Sequence, residues 1–205
     1  LLMNVVNYWE NAIRTLSEND NIIKQIISNY SGECMELKNN PFITLARSIV
    51  GQQISVKAAD TVWNRLESKC NNEVNAENIL SLSETELRKV GLSKQKISYL
   101  QNIAKSNVFD TKWDEKTDNE AIDILCTIKG VGKWTAEMFL IFHLARPNIL
   151  PLGDVGLIKG IEKHYNNSEK MTPSEIIKLK ELWDPWCSVF TWYMWRSLDP
   201  IPVNY

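Results

Sequence analysis

Ile128-Lys129-Gly130-Val131-Gly132-Lys133-Trp134-Thr135-Ala136 is the stretch that decides the fold. It lies between two apolar segments, 118–127 and 134–144, whose buried-type residues recur every three or four positions, as in helices. Two glycines flanking one aliphatic residue allow a tight reversal: both glycines can take φ > 0, and Val131 can plug the gap between the helices. Backbone N–H groups then stand free at the start of the following helix. Such amides bind anions, phosphate in particular. Lys129 and Lys133 add positive charge at the same place. The plain alternative is a helix–turn–helix connection with no ligand.

Outward from this hairpin, helical spacing dominates the chain. Segments 4–16 and 19–30 each carry an apolar face, and Ser31-Gly32 is a stop. Pro41 suits the first turn of a helix over 42–50. Segment 52–68 carries the stripe Ile54, Ala58, Val62 and Leu66. Ser83 with Glu86 is a capping box opening a short helix that ends at Gly91. Further helices are predicted over 93–107, 157–165, 173–182 and 186–198. Few segments alternate with period two for long enough to make a strand. The expected fold class is all-α: two helical lobes with the hairpin motif and a cleft between them. The middle lobe spans about 40–145; the second is built from 1–39 plus 146–205. No Gly/Ser linker separates them, so one closely packed domain over 1–205 is expected.

Composition sets broad limits. A hydrophobic share of 44% with 23% charged residues suits a globular protein. No apolar run approaches the ~20 residues of a membrane span, and Leu1-Leu2-Met3-Asn4 lacks the features of a signal peptide. The four cysteines, Cys34, Cys70, Cys126 and Cys187, form no C-x-x-C pair, which argues against a zinc site or an iron–sulfur cluster. Reduced, mostly buried thiols are expected. The net charge of −2 does not advertise nucleic-acid binding, which needs a local basic face and not a basic total. Arg47, Lys57, Lys94, Lys96, Lys129, Lys133, Lys159 and Arg196 could supply one. His143 and His164 have no partner pattern and read as structural.

A second stretch carries chemistry: Ile149-Leu150-Pro151-Leu152-Gly153-Asp154-Val155-Gly156-Leu157. A loop with Pro and Gly sets Asp154 directly before a helix. A helix N-cap is the bland reading, since Asp there accepts an orphan backbone N–H. Hairpin, Pro/Gly loop and helix-opening Asp together resemble the HhH-GPD superfamily of DNA base-excision glycosylases, whose helix-hairpin-helix grips the sugar–phosphate backbone without reading bases. The chain looks most like its AlkA-type, 3-methyladenine DNA glycosylase II branch. Ala46-Arg47-Ser48-Ile49-Val50-Gly51-Gln52-Gln53-Ile54-Ser55-Val56-Lys57-Ala58-Ala59 is similar to that branch's IxGQQxSxxAA helix. Gly91-Leu92-Ser93 with Lys96 and Tyr99-Leu100 resembles its second DNA-facing turn. The stretch from Trp183-Asp184-Pro185-Trp186 to Trp192-Tyr193-Met194-Trp195-Arg196 resembles its C-terminal helix. The likeness covers about residues 40–198 and suggests the compact form without an N-terminal β-rich domain.

The resemblance implies a glycosylase that flips out and removes alkylated purines such as 3-methyladenine and 7-methylguanine, with Asp154 as the catalytic carboxylate. Trp134, Trp195 and Met138 fall on base-pocket positions; Met138 stands where some relatives have an aromatic residue. Trp183, Trp186, Trp192, Trp9, Trp63 and Trp113 read as packing residues. Gln53, then Gln52, match the wedge that fills the gap left by the flipped base, and Leu92 could plug the opposite strand. Lys129, Gly130, Val131, Gly132, Lys133, Thr135, Ser55 and Lys57 would hold the DNA backbone. Members that also nick the strand carry a Schiff-base lysine where this chain has Trp134. Lys133, one residue earlier, is turned about 100° around the helix, so a monofunctional enzyme is implied. No metal ligand set or cofactor is expected, beyond a monovalent or divalent cation that could sit at the hairpin–phosphate contact. The expected partner of this presumed monomer is double-stranded DNA carrying damaged bases, with no membrane. The expected compartment is cytoplasm and nucleoid in a prokaryote or nucleus in a eukaryote, without secretion. Two other readings stay open: a glycosylase for oxidised or mismatched bases, and a non-catalytic helix-hairpin-helix DNA-binding module.

Overall fold

The computed structural model describes residues 6–199 and Pro202. The readings that rest on residues 1–5, the N-terminal segment and the start of the first helix, lie outside the described residues. In chain order the α-helices are α1 (Trp9–Asn19), α2 (Asn21–Asn29), α3 (Pro41–Gly51), α4 (Val56–Lys69), α5 (Ala76–Ser81), α6 (Glu84–Val90), α7 (Lys94–Ala104), α8 (Asp118–Cys126), α9 (Lys133–Phe142), α10 (Val155–Tyr165), α11 (Pro173–Leu179) and α12 (Cys187–Arg196). No helix among the described residues is long and apolar enough to cross a membrane. The helices form two compact units, residues 6–37 with 145–199, and Lys38–Leu144.

The Lys38–Leu144 unit is built around α3 and α9. Asn40 caps α3 through the Ile43 amide at 3.2 Å, and Pro41 takes the first position, where its missing N–H costs nothing. The Ser83/Glu86 capping box opens α6 as expected, and a second, Thr117/Glu120, opens α8. Lys69, then the Ser83 amide and hydroxyl, hold the Glu86 carboxyl down at about 2. The core pairs Trp113 edge-on with Phe139 at 5.3 Å, and His143 lies 4.8 Å from Phe139, its Nδ1 bonded to the Lys38 carbonyl at 2.9 Å.

The helix expected from residue 52 starts later. Gln53 is left-handed, with φ +60°, which interrupts the run, and Ser55 caps α4 by accepting the Ala58 amide at 3.3 Å. Starting at Val56 sets the inward face on Trp63 and Leu66. Ile54, expected in the buried stripe, is 41% exposed, and Ala58 is exposed too. The short α5 was not anticipated.

The other unit has an aromatic core. Trp183 stacks on Phe190 with centroids 3.7 Å apart, and Trp9 meets Trp192 edge-on at 5.3 Å. Such pairs add roughly 0.5–1.5 kcal/mol each beyond area burial. Trp9, Trp63, Trp113, Trp183 and Trp192 are buried, while Trp186 is half-buried and stacks on Tyr8. The N-terminal helices are pinned by polar ties. Asp20 caps α2 through the Ile22 and Ile23 amides and also accepts the Tyr165 hydroxyl and the Trp183 indole N–H. The Arg196 guanidinium grips both oxygens of Glu33, at 2.6 and 2.9 Å. The four cysteines are free thiols, but only Cys70 and Cys187 are buried; Cys34 is half-buried and Cys126 exposed. Burial pushes the Cys187 thiol up to about 12.

Candidate active site

The hairpin between α8 and α9 uses its two glycines differently. Gly130 has φ +107°, and a Cβ there would stand 2.2 Å from Cγ of Tyr99, so both its conformation and its neighbour demand glycine. Gly132 does not need it: φ −94° and ψ 177° are open to any residue, and a Cβ would meet nothing within 4 Å. The expectation of φ > 0 at both glycines is corrected accordingly. Val131 is buried, as a plug should be, but its N–H already bonds the Ile128 carbonyl at 2.9 Å. The amides left for an anion are those of α9's first turn, since Gly132 caps the helix with no side chain. Lys129 and Lys133 are exposed, and Lys133 lies 3.8 Å from Glu137.

Several side chains expected at a DNA surface are placed otherwise. Thr135 is 1% exposed and its hydroxyl accepts the Gln52 amide at 3.0 Å, so it faces inward and cannot reach a phosphate. Leu92, expected to plug the opposite strand, is 3% exposed, in the turn that joins α6 to α7. Met138 is wholly enclosed and offers a base no accessible surface. Gln52 is half-buried and also points its amide at the Gly130 carbonyl, at 3.5 Å, whereas Gln53 is exposed. Of the two glutamines, Gln53 is the one with an exposed side chain. Ser55 and Lys57 are exposed beside it.

The basic residues also divide. Arg47 pairs with Asp60 at 3.1 Å and lies over the Trp63 ring, Arg196 is held by Glu33, and Lys96 donates to the Val50 carbonyl at 2.7 Å. These three are held by partners within the protein. Lys57, Lys94, Lys129 and Lys133 remain exposed in the Lys38–Leu144 unit, and Lys159 in the other.

Asp154 sits at the head of α10, in the other unit. Its N–H closes a turn onto the Pro151 carbonyl at 2.8 Å, and its Oδ1 accepts the Leu157 amide at 2.6 Å and the Trp195 indole N–H at 2.8 Å. The cap reading holds, and the cap fixes the rotamer of a half-buried carboxylate. Trp195 was expected to offer its face to a base. It is only 6% exposed and turns its N–H to Asp154, so it orients the carboxylate instead. Gly156, to which the sequence reading gave no role, is the close-approach position. A Cβ there would lie 3.1 Å from both Asp154 Oδ1 and Trp195 Cδ1. A glycine in a helix's first turn was the available signal. Trp134, on α9, is half-buried. His164 is structural, its Nε2 bonded to the Ser197 hydroxyl.

A carboxylate clamped at a helix head can stabilise a cationic sugar, and first-turn amides without a side-chain cap can hold a phosphate. A DNA-3-methyladenine glycosylase 1 of Schizosaccharomyces pombe is 31% identical over 189 residues, covering 89% of this chain and 83% of the relative. A 3-methyladenine DNA glycosylase of Schizosaccharomyces pombe, solved in complex with abasic DNA, superposes with a TM-score of 0.82 at 27% identity, covering 91% and 96%. A DNA-3-methyladenine glycosidase of Bacillus halodurans matches at 33% identity with a TM-score of 0.71, covering 91% and 88%. Residues 46–185, which include both the hairpin and Asp154, match the family described as HhH-GPD superfamily base excision DNA repair protein, and the chain belongs to that superfamily.

Proposed function

We propose that the protein is an alkylbase DNA N-glycosylase of base-excision repair, a hydrolase acting on double-stranded DNA inside the cell. The observation that carries this reading is the Asp154 carboxylate, held at 2.6 and 2.8 Å by the Leu157 amide and the Trp195 indole. The damaged nucleotide is extruded, and Gln53 fills the vacated stack. The C1′–N bond breaks with its electron pair leaving on the base. Positive charge develops on the sugar and is stabilised by Asp154. A water oxygen then bonds to C1′ and gives its proton to the same carboxylate. A purine alkylated at N3 or N7 is already cationic, so it departs neutral without a strong general acid. Trp134 is the aromatic face for such a base, electron-rich and suited to a cation.

The enzyme is read as monofunctional and as a monomer that needs no cofactor. Water is the nucleophile, because Trp134 stands where a Schiff-base lysine would be required. The test is to incubate the protein with methylated duplex and with duplexes carrying 8-oxoguanine or mismatches, and to measure released base. Release of methylated purines is expected. Release of 8-oxoguanine alone, or of no base, overturns the reading. Borohydride trapping of a covalent adduct through Lys133 would overturn the monofunctional part.

A further inference from the structure

One face of α7 touches both loops assigned to DNA in the Lys38–Leu144 unit. Lys96 reaches the wedge turn, donating from Nζ to the carbonyl of Val50, which directly precedes Gly51-Gln52-Gln53. Three residues on, Tyr99 packs its ring so tightly under Gly130 that no Cβ fits. Three further on, Asn102 donates from Nδ2 to the Lys129 carbonyl at 2.9 Å. Residues three apart are neighbours on a helix surface, so these side chains form one continuous contact surface. Gln52 closes the loop by bonding Thr135 Oγ1 at 3.0 Å, linking the wedge turn to α9. Lys96 is half-buried, and burial pushes its ammonium below the usual lysine range.

We propose that Lys96, Tyr99 and Asn102 are positioning residues: they form a brace that holds the Gln53 wedge turn and the phosphate-gripping hairpin in fixed register, with Gln52 as the tie. The inference rests on the glycosylase reading above. A wedge works only if it enters the stack where the phosphates are held. A rigid spacer between the two loops meets that need, since small misplacements at a reacting centre lower rates steeply. Lys96 contributes through Val50 and not by touching DNA.

The test compares wild type, Lys96→Met, Lys96→Arg and Asn102→Leu on two substrates under single turnover. In one the methylated base is fully paired; in the other it faces an abasic gap, so that less stacking must be broken. Lys96→Met is expected to slow release from the paired duplex by about tenfold, the worth of one lost charged hydrogen bond, and from the gapped duplex by less than about threefold. Lys96→Arg should restore the paired rate. Asn102→Leu should weaken binding to undamaged duplex by about threefold or more. Equal loss on both substrates, no loss on either, or failure of arginine to rescue overturns the brace. Binding to a tetrahydrofuran-containing duplex relative to an undamaged one is read in parallel, and it needs no catalysis. Lys96→Met should shrink that preference and Lys96→Arg keep it; an unchanged preference also overturns the brace. If wild type releases no methylated base, the glycosylase reading fails while this binding comparison still judges the brace.

Discussion

Replacing Gly130 with alanine adds a single methyl group to the hairpin, and the structure sets its consequence. The residue has φ +107°, outside the region open to L side chains, and the new carbon would lie 2.2, 2.3 and 2.7 Å from Cγ, Cδ1 and Cβ of Tyr99. The backbone conformation alone costs roughly 1–2 kcal/mol for a residue with a Cβ. Displacing a packed ring adds about 1–3 kcal/mol. The ring cannot swing away freely, because Cβ of Tyr99 is itself among the close atoms. A loss of about 2–5 kcal/mol is therefore expected, read as a lower urea midpoint by tryptophan fluorescence. Duplex binding should weaken in step, as the first turn of α9 is displaced. Gly132→Ala is the matched control, with an ordinary φ and open space, and should change stability by less than about 1 kcal/mol. Equal midpoints for the two variants would refute the division of labour between the glycines.

Other outcomes follow from the carboxylate's surroundings. Trp195→Phe keeps the ring but removes the N–H bonded to Asp154, so excision should fall about 10–100-fold, the equivalent of a hydrogen bond to a charged group. In Gly156→Ala a helix-propensity gain of at most roughly 1 kcal/mol is opposed by crowding of Asp154 and Trp195 at 3.1 Å, so melting should shift little while excision slows by about tenfold. Thermal melting of the variant against single-turnover rates separates the two effects. Burial lowers the pKa of His143, and of His164, in the folded chain. The neutral rings therefore stabilise the fold fully above the unfolded value of about 6.5, and that contribution is lost as pH falls through the lower folded value. Melting temperature should drop on acidification below that point, and His143→Asn should flatten the slope; a slope unchanged by the substitution counts against the assignment.

Much of this was readable from local pattern. The helices, the Ser83/Glu86 box, Pro41 at a helix start and Asp154 at another are all set by residues within a turn of one another. Boundaries slipped where a single backbone angle intervened: Gln53 looks helix-compatible in sequence, yet its left-handed conformation moves the start of α4 and exposes Ile54. Side-chain roles slipped where the partner was distant. Arg196 reads as a surface cation until Glu33, 163 positions away, claims it. Leu92, Thr135 and Met138 sit at motif positions that suggest ligand contact, but motif spacing does not say which side of a turn faces the core. Trp195 combined both problems, since its burial and its bond to Asp154 depend on how α10 and α12 pack. Tyr99 gave no local sign that it fixes the hairpin glycine.

The most direct measurement is the single-turnover rate of methylated-purine release by Asp154→Asn against wild type. Asparagine can still cap α10, so the variant should melt within about 1 kcal/mol of wild type. Its rate should nevertheless fall by several orders of magnitude, because the neutral amide cannot stabilise the cationic sugar or take up a proton. A folded Asp154→Asn protein that releases the base at the wild-type rate would remove that carboxylate from the reaction.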